Sequence, residues 1–245
     1  MRSRLNRNEG RSGLGRLRER ASAVLSRQDP CEFSLRRSPV ALYSMEHQFA
    51  VLFTAKAGCT FAVKWFFYQE GLLEEALAYS SWPHSYRIDV FIKRHGYRES
   101  LDAVPKLGSR VLKFVRNPYD RAVSGYLHFS HILHEYPHGE STPVIEEIGE
   151  HLGRRLSPES LFTFREFVDY LGAIDLSTCN PHFRRQMSVC ERAGRLKEMT
   201  IIPIEHSARL VPEVEVKLGL KQSGLADLGR SAHHTTRADV GGFFG

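Results

Sequence analysis

Apolar positions along the chain fall into short continuous runs separated by stretches of helical periodicity. Residues 49–55, Phe-Ala-Val-Leu-Phe-Thr-Ala, form an apolar run of the kind that fits a strand buried on both faces. The tight segment Lys56-Ala-Gly-Cys59 follows, and Thr60 then opens a periodic run to Gln69 that Gly71 closes. This region predicts strand, loop, helix. Residues 87–93 predict a second short strand ending at Lys93-Arg-His-Gly96, and residues 110–115 a third. Beyond the third, Asn117 can cap a helix and Pro118 can occupy its first turn, where a missing N–H costs nothing. That helix carries Arg121, Ser124 and Tyr126. Thr163-Phe-Arg-Glu166 is a capping box ahead of another helix, and residues 200–205 predict a last core strand followed by a helix to Leu218.

Strands alternating with helices predict an α/β fold, a central parallel sheet flanked by helices on both faces. Ligands in such sheets sit beyond the carboxyl ends of the strands. Two strand-to-helix turns carry basic residues there, Lys56 and Arg116.

A length of 245 residues suits one large α/β domain, and 42% hydrophobic with 25% charged residues excludes collagen-like, disulfide-scaffold and wholly disordered chains. The net charge of +6 points at first to nucleic acid or an anionic membrane. Its distribution changes that reading. Residues 1–40 hold ten Arg and four acids, whereas the remaining 205 carry 24 basic and 24 acidic side chains. The chain therefore divides into an Arg-rich flexible arm, 1–40, with at most a short helix around residues 14–25, and a formally neutral domain, 41–245. No signal-type apolar region and no run of about 18 apolar residues occurs, so no membrane span is expected. Cys31, Cys59, Cys179 and Cys190 lack any CxxC spacing, which predicts reduced thiols in a soluble, cytoplasmic protein.

A helix N-terminus attracts phosphate or sulfate through its free N–H groups and dipole. At the first turn Lys56 adds a full charge, Gly58 lets backbone approach an anion, and Thr60 adds a hydroxyl; Ala57 and Cys59 contribute main-chain N–H groups. The Lys precedes the Gly, so the turn is not the GxxxxGK[ST] loop of Mg²⁺-dependent nucleotide hydrolases. At the second turn Arg116 presents a planar fork suited to phosphate, and Ser124, two turns along the helix, offers a hydroxyl from the same side. Asp120 and Arg121 read as a local ion pair shaping this turn.

Lys56-Ala-Gly-Cys-Thr60 resembles the 5′-phosphosulfate loop of sulfotransferases that use 3′-phosphoadenosine 5′-phosphosulfate (PAPS), in the form found in the carbohydrate, Golgi-type branch. Residues 115–126 are similar to the same family's 3′-phosphate motif, with Arg116 and Ser124 at the matching positions. Asn180-Pro-His-Phe-Arg-Arg-Gln186, with Cys190 four residues on, resembles the family's Asn-Pro-His-Trp-x-Pro-Gln segment, with Phe183 for Trp and Arg185 for Pro. Ile202-Pro-Ile-Glu205 resembles its late strand, and His233-His-Thr-Thr-Arg237 a C-terminal segment. The resemblance spans about residues 49–237. It implies a P-loop-like nucleotide-binding architecture, PAPS as donor co-substrate held by residues 56–60, Arg116 and Ser124, and no metal. The reaction it implies is in-line transfer of a sulfuryl group to an acceptor hydroxyl on a carbohydrate or glycolipid.

Such transfer requires a proton acceptor and stabilisation of the departing phosphate. Lys56 is the candidate for the phosphate. His95 is the candidate base, because it follows a predicted strand upstream of Arg116, a placement similar to the strand-end Lys-x-His of many sulfotransferases; His84 and Glu70 are alternatives. His128, His131, His134 and His138 recur without a Cys partner or HExxH and read as an exposed or acceptor-lining face. Arg184 and Arg185 read equally as an anion holder or a solvated pair. The competing functions are a non-catalytic nucleotide- or nucleic-acid-binding protein and an ATP-dependent small-molecule kinase. The partner expected is a small-molecule or glycan acceptor, not nucleic acid.

Overall fold

The continuous apolar run at Phe49 has no polar face to give to water, and it becomes one of the two inner strands of a four-stranded sheet. A computed structural model describes residues 30–36, 39–135, 142–196, 198–224 and 228. The arm up to residue 29, with its expected helix at 14–25, lies outside the described residues, as do His138 and the segment from His233 to Arg237. Strand β2 (Phe49–Leu52) is buried throughout, and β3 (Val111–Val115) pairs with it in parallel, Val51 opposite Leu112. β4 (Thr200–Pro203) extends the sheet in parallel, Phe114 opposite Ile202.

Two corrections concern the sheet. It is not wholly parallel: β1 (Leu42–Ser44) forms an antiparallel hairpin with β2, giving the order β1-β2-β3-β4. Three residues are too few to register as a period-two pattern. Residues 87–93 are not a strand. They continue helix α4 (Pro83–Asp89) into a 3₁₀ turn, Phe91–Lys93. Pro83 in the first turn supplies a helical φ, and the buried positions Pro83, His84, Tyr86 and Arg87 follow a helical stripe.

Short helix α1 (Pro30–Leu35) buries Cys31 and Leu35 in the core around the sheet. Packed structure therefore reaches back across the boundary expected at residue 40. Helix α2 (Cys59–Gln69) follows the Lys56 turn and packs Trp65, Phe66 and Phe67 on the sheet. The Trp65 indole donates to the buried Glu215 carboxylate at 2.7 Å. Gln69 and Ser223 also donate to it, so this acid is satisfied without a cation. Helices α3 (Leu73–Tyr79), α4 and α5 (Tyr97–Ser100) precede β3.

After β3, α6 (Pro118–Glu135), α7 (Thr142–Leu152) and α8 (Phe164–Ala173) form a second core with Phe162 and Phe183. The capping box expected at Thr163 and Glu166 starts α8. Helix α9 (Val189–Arg192) precedes β4, and α10 (Ser207–Leu218) ends at left-handed Gly219. Cys190 of α9 is disulfide-bonded to Cys31 of α1. The expectation of four reduced thiols fails for this pair, because long-range packing brings together cysteines 159 positions apart whose spacing in sequence carries no signal. Among the described residues, no helix is long and apolar enough to cross a membrane.

Candidate active site

The chain leaves β2 through a turn in which Lys56 adopts φ 63° and Gly58 φ 75°. A left-handed backbone costs a non-glycine residue roughly 1–3 kcal/mol and needs its surroundings to hold it. Here the Ala57 N–H donates to the Thr54 carbonyl at 3.2 Å, and the Arg116 guanidinium donates to the Lys56 carbonyl at 3.3 Å. Gly58 precedes the first residue of α2, and no side chain caps the helix. Gly58 was expected to admit an anion; its missing side chain also makes room for Ile204, whose Cδ1 and Cγ1 would lie 2.7 Å from a Cβ there. The free N–H groups at the start of α2 remain the donors that an anion would meet.

Arg116 leaves the end of β3 with both main-chain groups fastened by one side chain. Gln186 accepts from its N–H at 2.9 Å and donates to its carbonyl at 2.7 Å. The next residue starts α6 as expected. Asn117 Oδ1 accepts from the Tyr119 N–H at 2.9 Å, while the Asn117 N–H is held by Glu205 at 2.7 Å. Ser124 is half-buried on α6.

Arg121 corrects the expectation of an ion pair with Asp120. Asp120 is exposed, whereas Arg121 is only 8% exposed and donates to the carbonyls of Ala55, at 3.0 Å, and Pro181, at 3.3 Å. It ties the first turn to the segment around Asn180, and burial lowers its pKa to about 10. Burial also pulls Lys56 below the ordinary lysine value, with Arg116 adding to the effect. Lys56, Arg116 and Arg121 form no ion pair with any described acid. Three cations gathered without counter-charge favour an anionic ligand.

The segment from Asn180 to Gln186 is built around its side chains. Asn180 Oδ1 accepts from the His182 main-chain N–H at 3.0 Å and lies 2.8 Å from His182 Nδ1. Phe183 is buried against Phe129 and Phe167, ring centroids 5.0 and 5.3 Å away. Arg184 donates to the Cys179 carbonyl at 2.8 Å, a local structural task, and Arg185 is exposed. The His182 ring lies 4.8 Å from that of His128 on α6, tilted by 30°. Burial first, then nearby Lys56, push both imidazoles down, His128 to about 3 and His182 to about 4. Both are therefore uncharged at neutral pH.

The alternatives for the base fall elsewhere. His95 sits exposed in the turn after the 3₁₀ segment, not at a strand end, because the strand that would have carried it is helical. His84 is buried against Phe53 and Trp82 with Nε2 unpartnered, and burial beside Arg87 lowers it to about 3. Glu70 ends α2, roughly 16 Å along the helix from the Lys56 turn, and its pKa is raised by burial near the β1–β2 hairpin. Along α6 the three-residue spacing turns His131 to solvent while His128 faces His182. Among the described residues, no three His, Cys, Asp or Glu side chains are grouped to hold a metal ion.

The structure thus brings Lys56, Gly58 and Arg116 together and adds three residues: Arg121, expected only to pair with Asp120; His128, expected only on an exposed or acceptor-lining face; and His182, for which no role was expected. Arg121 lies within the resemblance at residues 115–126 and His182 within that at 180–186, and neither resemblance reveals what these side chains face. No curated protein and no solved structure matches the chain. A family model described as the sulfotransferase family matches residues 41–210, more than half of the sequence, and the chain belongs to that family.

Proposed function

We propose that the protein transfers a sulfuryl group from PAPS to a hydroxyl of a carbohydrate or glycolipid acceptor. Family membership supports sulfuryl transfer in general. The observation that carries the finer reading is the meeting of the two turns: Arg116 bonds the carbonyl of Lys56, and neither cation has an acidic partner among the described residues. A donor with a phosphosulfate at one end and a 3′-phosphate at the other needs two such anion sites close together.

In this reading Lys56 and the main-chain N–H groups of Gly58 to Thr60 stabilise charge on the 5′-phosphate as it departs, while the Ala57 N–H holds the turn by donating to Thr54. Arg116 and Ser124 hold the 3′-phosphate. Arg121 keeps the first turn in place and contributes positive potential from behind it. The donor supplies the sulfuryl group; alignment and fixed charge are the protein's part. The Cys31–Cys190 bridge fits oxidising surroundings, so the cytoplasmic setting expected from cysteine spacing loses its support.

Adenosine 3′,5′-bisphosphate tests the reading. At about 100 times its Kd it should raise Tm by about 5–10 °C. Arg116→Ala should abolish that rise, and removing residues 1–29 should leave it intact. A larger rise with ATP and Mg²⁺, or loss of binding with the arm, would favour the kinase or nucleic-acid alternatives.

A further inference from the structure

We propose that His182 is the general base that takes the proton from the acceptor hydroxyl, with Asn180 as its positioning residue; this rests on the sulfuryl-transfer reading above. One atom fixes the tautomer of His182. The main-chain N–H of His182 donates to the side chain of Asn180, so the atom it meets is the amide oxygen and not the NH₂. That same oxygen lies 2.8 Å from Nδ1 of the ring. An amide oxygen only accepts, so Nδ1 carries the hydrogen. A neutral imidazole protonated at Nδ1 keeps its lone pair on Nε2.

Nε2 makes no hydrogen bond to any described residue, and the half-buried ring leaves it within reach of a substrate. The ring cannot swing freely, because His128 lies against one face and Phe129 meets it edge-on at 5.4 Å. Among the described residues His128 has no such oxygen to select its tautomer, and it serves as the wall. The groups facing His182 are Lys56 from the first turn, Arg121 and His128 from α6, and Asn180 from its own segment.

The acceptor oxygen forms a bond to sulfur while its proton passes to His182 Nε2. The bond from sulfur to the bridging oxygen of the 5′-phosphate breaks, and its electron pair stays on the phosphate beside Lys56. The products are a sulfate ester, adenosine 3′,5′-bisphosphate and an imidazolium that returns its proton to solvent. Burial first, then Lys56 and Arg121, depress the basicity of His182 in the free protein. An anionic donor offsets both charges, so the imidazole becomes a stronger base once the donor is bound, with the burial contribution left in place.

Two measurements on the full chain test this. Nitrogen-15 NMR of the His182 ring should show the Nδ1–H tautomer, a protonation midpoint that rises when adenosine 3′,5′-bisphosphate is added, and loss of the tautomer preference in Asn180→Ala. An Nε2–H tautomer in the native protein would overturn the assignment. Turnover of labelled PAPS, with water or a hydroxylated glycan as acceptor, should fall about 10²–10⁴-fold in His182→Ala. Tm and bisphosphate affinity should stay unchanged, and the acid limb of the kcat profile should disappear. If the native protein does not bind bisphosphate, the sulfuryl-transfer reading itself fails. If it binds and His182→Ala keeps its turnover, or His95→Ala alone loses it, only the base assignment falls.

Discussion

Two turns in this chain are nearly the same in local chemistry. Lys56-Ala-Gly58 leads into α2 and Arg94-His-Gly96 leads into α5; both glycines are left-handed, with φ of 75° and 73°. Each places a basic residue just before a helix start. Their surroundings separate them. A Cβ on Gly58 would strike Ile204, whereas one on Gly96 would meet nothing within 4 Å. The first turn is walled by Ile204, Arg116 and Arg121 and precedes a helix of 11 residues; the second lies at the surface before a helix of four. In the second, Arg94 is occupied locally, stacked 4.7 Å over Phe91 and donating to the Tyr86 hydroxyl. A basic residue beside a glycine becomes an anion site only where tertiary packing gathers further donors around it.

The largest effect expected is on rate. Lys56→Ala should lower kcat for sulfuryl transfer by about 10²–10³-fold, the usual consequence of losing one preorganised charge at a developing anion. Arg94→Ala, at the open turn, should leave kcat unchanged. Equal losses at the two positions in a steady-state assay would erase the distinction between them.

The glycines sharpen the same contrast in stability. Alanine at either position must adopt a left-handed backbone, a cost of about 1–2 kcal/mol. Gly58→Ala also overpacks against Ile204, for a total of about 2–4 kcal/mol. Gly96→Ala should show the backbone cost alone. Urea midpoints at constant m would report the difference, and equal values would mean that Ile204 yields without cost.

The contrast also marks how far the sequence could be read. β2 was legible because it is a continuous apolar run buried throughout, and β3 because only the buried Lys113 interrupts its apolar run; β4 was legible from its paired Ile201 and Ile202 ahead of a helix, although only Ile202 is buried. So were the cap at Asn117 and the box at Thr163, which are decided within four residues. The segment at residues 87–93 was misread because a short apolar run suits a strand and a buried helix equally, and the choice lay in Pro83 and the stripe behind it. Lys56 and Arg116 could be proposed from turn chemistry. His182 could not, because its role depends on a ring 54 positions earlier in the sequence and on the orientation of one amide.

The last effect depends on pH and concerns the link between the two turns. α4 packs His84 against Phe53, where the first turn begins, and runs on through the 3₁₀ segment into the second. His84 is 5% exposed, its Nε2 has no partner, and burial beside Arg87 sets its folded pKa near 3, below the ordinary value of 6.5. Below pH 6.5 the unfolded chain takes up a proton that the folded chain refuses. Its contribution to stability is therefore complete above that pH and is lost as pH falls towards 3. The loss is at most about 1.4 kcal/mol per pH unit. His84→Phe keeps a ring against Phe53, leaves no polar atom unsatisfied and removes the titration. Its Tm should match the parent's at pH 7.5 and exceed it increasingly at pH 5.5 and 4.5. A Tm difference that does not change with pH would show that the imidazole is solvated in the folded state and that α4 does not seal the back of the first turn.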